Sequence, residues 1–89
     1  MPRVNVRYFL PHLTHDQETV DVPGATVGEC LHDLVRRYPA MKRWLFREDG
    51  QVANFIDLFV NLEMTTPDDL TTPVKENDEI FIVMMINAG

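Results

Sequence analysis

Cysteine is nearly absent from this 89-residue chain, and serine is entirely absent. The one cysteine, Cys30, excludes a disulfide framework and a four-cysteine iron-sulfur cluster within the chain. The lack of serine excludes a serine nucleophile. No apolar run approaches the roughly 20 residues of a membrane span, and the first residues lack the pattern of a signal peptide. We therefore expect a cytoplasmic protein that does not associate with membranes.

Basic residues are also scarce, since eight Lys and Arg face 14 Asp and Glu and leave a formal net charge of -6. Such a chain is poorly suited to neutralise phosphates, so we do not expect a nucleic acid partner. Five of the eight basic residues nevertheless lie between Arg36 and Arg47. Two explanations stay open: cations that stabilise the end of a solvated helix, or a basic docking patch.

The length of the chain and its 45% hydrophobic content allow one core but leave no room for a cleft between two lobes. We predict a single domain over residues 1–86, followed by a flexible C-terminal tail at residues 87–89. Catalysis within one chain of this size is not expected. Any chemistry is more plausibly carried out on the protein by a partner.

A two-residue alternation along the chain predicts β-strands at residues 4–9 and 55–62, and a nearly continuous apolar run predicts the last strand at residues 79–86. A short strand at residues 18–22 forms a hairpin with the first. In the first strand the alternation places Val4, Val6 and Tyr8 on one face. Phe9 is predicted to lie on the opposite face.

A helix is predicted to begin at Thr26, because Thr26 and Glu29 have the spacing of a capping box. Apolar positions at helical spacing follow, and Pro39 ends the helix. A brief helical turn is expected at residues 41–47, with Trp44 among the residues of the core. Residues 65–78 are expected to form loops.

The order strand, strand, helix, strand, loops, strand predicts an α+β domain of the β-grasp (ubiquitin-like) type. We expect a mixed sheet of four to five strands with one main helix packed across one face. The last strand, from Glu79 onward, is almost continuously apolar. It is therefore expected to lie centrally in the sheet, beside the first strand.

One helix is unable to cover both faces of such a sheet, so an apolar second face is expected to stay open and to bind a partner protein. Its predicted members are Phe9, Phe55, Phe59, Phe81, Val83 and Met85. The alternative is that residues 41–46 fold back over this face as ordinary core.

The sequence ends in the small, uncharged residues Asn87, Ala88 and Gly89. Three residues in extended conformation span roughly 10 Å, which would carry the final carboxylate clear of the domain. Glycine has no Cβ, so its carboxylate can enter a narrow channel, and a nucleotide or another backbone can approach it closely. The carboxylate of Gly89 is therefore the candidate reactive group.

The sequence resembles the ThiS/MoaD family of ubiquitin-like sulfur carriers. The resemblance rests on the glycine terminus and on four segments, residues 4–9, 23–29, 54–61 and 75–82. It implies that an E1-like enzyme uses ATP to adenylate the carboxylate of Gly89. A sulfur donor then converts this group to a thiocarboxylate, which serves a sulfur-accepting synthase. No cofactor is expected to bind to the chain itself.

The ending departs from the Gly-Gly that is usual in this family, because Ala88 occupies the first of the two positions. Three explanations stay open. The partner accommodates the extra methyl group, the natural chain carries a further glycine or a removable extension, or the conjugation chemistry has been lost.

Two other functions remain as alternatives to the sulfur carrier, a non-catalytic interaction subunit and a ubiquitin-like protein modifier. A metal site is not expected, because His12, His15 and Asp16 lack a further well-placed ligand. Cys30 falls on the apolar face of the helix and is expected to be a core residue. We expect a monomer or a weak homodimer.

Overall fold

The computed structural model describes residues 1–9, 17–65 and 70–84, which form a five-stranded mixed sheet and two helices. The strands are β1 (Arg3–Asn5), β2 (Thr19–Asp21), β3 (Ile56–Val60), β4 (Glu63–Thr65) and β5 (Glu79–Met84). Their order in the sheet is β2-β1-β5-β3-β4. β1 pairs with β5 in parallel, and the other neighbours are antiparallel. The predicted central position of the last strand beside the first is confirmed.

The main helix, α1 (Val27–Arg37), begins where the capping box was predicted. The Thr26 hydroxyl accepts a hydrogen bond from the Glu29 backbone N–H at 3.2 Å. The Glu29 carboxylate accepts one in return from the N–H of Ala25 at 3.0 Å. The bond to Thr26 satisfies one donor that a helix start leaves without a helical partner. The N–H groups of Val27 and Gly28 donate to the carbonyls of Thr72 and Leu70, so the local cap and a tertiary contact together fix the first turn of α1.

The core lies between α1 and one face of the sheet, and the alternation along the strands decides which side chains enter it. Ile80 and Ile82 of β5 are fully buried, as is Leu58 of β3, which pairs with Ile82. Leu31 and Leu34 of α1 are fully buried in the same cluster. The intervening strand residues therefore lie on the sheet face opposite the helix.

A 3₁₀ turn at Pro39–Met41 and a short helix, α2 (Lys42–Leu45), follow α1. Met41 and Leu45, four residues apart, are fully buried in the core that α1 covers. This segment therefore belongs to the helical side of the sheet and does not close its other face. The predicted core position of Trp44 is wrong, because the helical turn that buries Leu45 directs Trp44 to solvent.

Phe9 also departs from its predicted position. It is only 7% exposed and lies in the core, whereas Tyr8 is 54% exposed. The reason is a turn after Val6, closed by a hydrogen bond from the N–H of Phe9 to the carbonyl of Val6 at 3.0 Å. The turn ends the two-residue alternation, so the faces predicted for Tyr8 and Phe9 are reversed.

The third strand ends earlier than predicted and turns into β4, which the sequence pattern did not indicate. Asn61 and Leu62 connect the two strands, and Asn61 adopts a left-handed conformation with φ of 57°. Its side-chain oxygen accepts a hydrogen bond from the N–H of Glu79 at 3.1 Å. The predicted end of the domain at residue 86 lies outside the described residues.

Candidate functional site

The open face of the sheet carries a row of side chains that crosses the central strands. Phe81 of β5 lies between Asn5 of β1 and Phe59 of β3. Phe59 in turn pairs with Met64 of β4. Directly opposed residues have Cβ atoms about 4.5–5.5 Å apart and point to the same face. Phe81, Phe59 and Met64 therefore form a contiguous apolar strip.

Phe59 and Phe81 of this strip, together with residues from both ends of the strands, line a shallow hollow of ≈ 200 Å³. It is lined mainly by apolar side chains, and Leu62, at 92% exposed, is the most accessible of the large ones. We call the patch the apolar sheet face and define it by Tyr8, Phe59, Leu62, Met64, Phe81 and Val83. Contiguous exposed apolar surface of this kind is typical of a protein-binding site.

The structure places half of the predicted partner-binding residues on this face. Phe59, Phe81 and Val83 are partly exposed there. Phe55 is exposed just before β3 but does not line the hollow. Phe9 is in the core, as described above, and Met85 lies outside the described residues. Binding of a partner by this face stays a prediction.

Sequence reasoning missed three members of the apolar sheet face. Met64 was missed because a three-residue edge strand is too short to show alternation. Leu62 was assigned to β3 rather than to the turn after it, and Tyr8 was assigned to the wrong face. A usable signal was the Asn61-Leu62 dipeptide, since asparagine tolerates the left-handed conformation that hairpin turns require.

Charged residues border the apolar sheet face at both ends of the strands. At one end, Arg3 of β1 lies between Asp21 and Glu79 and pairs with Asp21, with Nε and Oδ1 3.4 Å apart. At the other end, Asp57 of β3 lies opposite Val83. Within residues 1–9, 17–65 and 70–84, the Asp57 carboxylate has no ion-pair partner. It is thus available to a cation on a partner.

The predicted reactive tail, Asn87, Ala88 and Gly89, lies outside the described residues. The position of Met84, the last described residue of β5, is nevertheless defined. Met84 pairs with Ile56, and its N–H donates to the carbonyl of Tyr8 at 3.0 Å. The described part of β5 therefore ends beside the apolar sheet face, at the same end of the strands as Asp57.

Cys30 is fully buried on the inner side of α1. Burial, and next the nearby carboxylates of Glu29 and Asp33, raise the pKa of its thiol to about 11. A Cβ at Gly24 would lie 2.7 Å from the Cys30 sulfur, so the chain packs closely there. A buried and neutral thiol is a poor nucleophile, which agrees with the predicted core role.

The part of the chain that the structure describes has neither a metal-ligand cluster nor a membrane-spanning helix. It contains no group of three or more His, Cys, Asp or Glu residues that could hold a metal ion. His12, His15 and Asp16 lie outside that part. None of the described helices is long and apolar enough to cross a membrane.

A family model covers almost all of this chain. The ThiS family model matches residues 6–87. The chain belongs to the ThiS family. Small archaeal modifier protein 1 of Haloferax volcanii is 32% identical to this ThiS family member over 71 residues, which are 79% of this chain and 78% of that protein.

Solved structures agree with this assignment. A chain of the Amycolatopsis orientalis BexX/CysO complex is 28% identical, with a TM-score of 0.87 and full coverage of both chains. The crystal structure of the Haloferax volcanii modifier protein is 27% identical, with a TM-score of 0.81 and coverage of 99% of this chain and 98% of that one. The predicted β-grasp, ubiquitin-like fold is confirmed. The family comprises small carrier and modifier proteins.

Proposed function

We propose that this ThiS family member is a cytoplasmic sulfur carrier. An E1-like enzyme docks on the apolar sheet face and adenylates the carboxylate of Gly89 with ATP. A sulfur donor then converts it to a thiocarboxylate, which a sulfur-accepting synthase consumes. The observation that carries the proposal is the partly exposed apolar face on β5, the strand that precedes Gly89 in the sequence. Membership of the family supports the same conclusion.

The chemistry explains why the chain needs a partner rather than an active site of its own. A carboxylate is a poor electrophile because oxide would have to leave. Transfer of AMP from ATP forms a mixed anhydride at Gly89 and releases pyrophosphate. The sulfur donor then forms a carbon–sulfur bond as the bond from that carbon to the AMP oxygen breaks. In this proposal the chain binds no cofactor, and the enzyme binds ATP.

Docking and sulfur transfer are coupled in this proposal, because the docked protein itself carries the sulfur. A sulfur atom tethered to the docked carrier is held near its acceptor at a high effective concentration. The apolar sheet face therefore serves each step that requires a partner, first the activating enzyme and then the synthase. This shared use predicts that one set of substitutions weakens both interactions.

The proposal is tested by incubating the protein with the E1-like enzyme of the same cells, ATP and sulfide. Intact mass should show the replacement of one oxygen by sulfur, located in the C-terminal peptide. Deletion of Gly89 should abolish the product without unfolding the protein, and Phe81→Ala should slow its formation. Trp44→Ala, which removes an exposed aromatic side chain on the helical side of the sheet, is the matched control. An unmodified Gly89 that also resists adenylation would refute the carrier proposal.

A second candidate function, the ubiquitin-like modifier, is favoured by the similarity to small archaeal modifier protein 1. In that case the activated Gly89 carboxylate forms an isopeptide bond with a lysine of another protein. Digestion of adducts isolated from cells would then yield branched peptides carrying the C-terminal residues. A non-catalytic interaction subunit would instead tolerate deletion of Gly89 and remain sensitive to Phe59→Ala or Phe81→Ala.

A further inference from the structure

A second concave surface lies on the helical side of the domain, between α1 and the segment that follows it. An open hollow of ≈ 450 Å³ is lined by residues that include His32, Arg36, Lys42, Phe46 and Arg47. A neighbouring hollow of ≈ 380 Å³ shares Lys42, Phe46 and Arg47 and adds Arg43. We call the two together the helix-side groove.

The floor of the helix-side groove is flat and aromatic. The rings of His32 and Phe46 are stacked, with centroids 5.0 Å apart and an angle of 24° between their planes. Val35 of α1 lines the same hollow. One apolar side chain of a ligand can pack on these rings, whereas the residues around the groove are charged.

The charge of the groove contrasts with that of the rest of the protein. Residues 36–47 contain five of the eight basic residues and no acidic residue, in a chain of net charge -6. Glu48 also lines the groove and reduces its positive charge in part. The rest of the chain contains all 14 acidic residues and three of the eight basic residues, so its net charge disfavours an acidic ligand, whereas the charge of this surface attracts one.

Ion pairs within the domain account for only some of these cations. Arg36 and Arg37 pair with Asp33, as expected for cations near the end of a helix. Arg47 pairs with Asp49. Lys42 and Arg43, in contrast, have no carboxylate partner among the described residues. Lys42 and Arg43 lie in the last turn of α2, and the Arg43 guanidinium lies over the Trp44 ring, 6.0 Å from its centroid, but neither charge is offset by a carboxylate among the described residues.

The groove also lies away from the apolar sheet face, because α1 and residues 41–45 pack on the opposite side of the sheet. A partner held at Phe59 and Phe81 thus leaves Lys42 and Arg43 accessible. We propose that the helix-side groove binds an extended acidic peptide segment of a second partner protein. Its carboxylates pair with Lys42 and Arg43, and one apolar side chain rests on Phe46.

The test uses a fluorescein-labelled peptide of alternating Glu and Leu as the probe, with a Lys and Leu peptide of the same length for comparison. Only the Glu peptide should bind saturably, and added salt should weaken it. Lys42→Glu/Arg43→Glu should weaken binding by about tenfold, the scale of two lost charge-assisted contacts. Lys75→Glu, which changes a basic residue outside the groove, should leave affinity almost unchanged.

Amide chemical shifts locate the bound peptide. We expect changes at His32, Lys42 and Phe46 and none at Phe59 or Phe81. An effect of Lys75→Glu equal to that of Lys42→Glu/Arg43→Glu, a shift map centred on the apolar sheet face, or no saturable binding would overturn the proposal. So would inorganic phosphate or ATP binding in the groove in place of the peptide. Loss of activation by the E1-like enzyme in Lys42→Glu/Arg43→Glu would overturn the assignment to a second partner.

Discussion

At the scale of one residue, Cys30 shows how burial sets chemical reactivity. Its thiol is enclosed by the core, and burial raises its pKa to about 11 from an ordinary 9.0. The thiolate is the reactive form, and it is almost absent at neutral pH in the folded protein. We predict that iodoacetamide alkylates Cys30 far more slowly in the native protein than in urea. Fast native alkylation at pH 8 would contradict the core assignment.

The same pKa predicts a pH dependence of stability. The folded state holds the thiol neutral, so its contribution to the free energy of unfolding is complete below pH 9, where the unfolded thiol is also protonated. The contribution is lost as pH rises from there to about 11, because only the unfolded state then loses its proton. In urea titrations between pH 8 and 11, the difference in the free energy of unfolding between the wild type and Cys30→Ala should therefore fall as the pH rises. A constant difference would show that the folded pKa is not raised.

Asn61 shows how one residue can set a strand connection. Its φ of 57° costs most residues about 1 kcal/mol, and its amide donates to Asp78 Oδ1 at 3.1 Å. We predict that Asn61→Ala lowers the free energy of unfolding by about 2 kcal/mol and Asn61→Gly by about 1 kcal/mol, because glycine keeps the conformation but loses the hydrogen bonds. Urea unfolding measures both, and Leu62→Ala, at a 92% exposed position, is the control. Equal losses for glycine and alanine would exclude the backbone as the cause.

At the scale of secondary structure, elements with a strong local signal were predictable and the others depended on tertiary contacts. Thr26 is the N-cap of α1, as predicted, because its hydroxyl accepts a hydrogen bond from the backbone N–H of Glu29, three residues later. β5 was also placed correctly, since its apolar run identifies a strand buried in the centre of a sheet. These two elements define most of the fold.

The errors occurred where a turn interrupts a repeating pattern. Phe9 was placed on the wrong face because a turn after Val6 shifts the alternation. Asn5 is the local residue that marks this turn, since its side-chain oxygen accepts a hydrogen bond from the N–H of Arg7 at 2.9 Å, but an asparagine also fits the polar position of an alternating strand. β4 was missed because it gains its structure by pairing with β3 rather than from its own three residues. Of the candidate site, Phe59, Phe81 and Val83 were placed correctly by alternation, whereas Tyr8 and Met64 required the tertiary structure.

The cap of α1 provides a test at the level of this element. Thr26→Ala removes the acceptor for the Glu29 N–H and should lower the free energy of unfolding by about 1 kcal/mol. Thr26→Ser retains the hydroxyl and should have a much smaller effect. Urea denaturation of the two variants separates the loss of the cap from a change in packing. Identical losses in both would contradict a capping role.

At the scale of the whole molecule, the two faces of one sheet differ in exposure, and the proposed function assigns stability to one face and binding to the other. The inner face supplies the core under α1, and the outer face leaves Phe59 and Phe81 partly exposed beside the end of β5. A carrier that meets successive partners needs such an arrangement, because its binding surface has to stay exposed in the free protein. Stability must then come from the other side of the sheet.

Ile82 and Val83, adjacent in β5 and directed to opposite faces, test this separation. Ile82→Ala removes methyl groups from a fully buried position and should cost about 2–5 kcal/mol of unfolding free energy. Val83→Ala should cost less than about 1 kcal/mol, because this side chain is already partly in water. Val83→Ala should nevertheless raise the KM for activation by the E1-like enzyme. If it unfolds the protein as readily as Ile82→Ala, or leaves activation unchanged, the two faces do not divide the roles in this way.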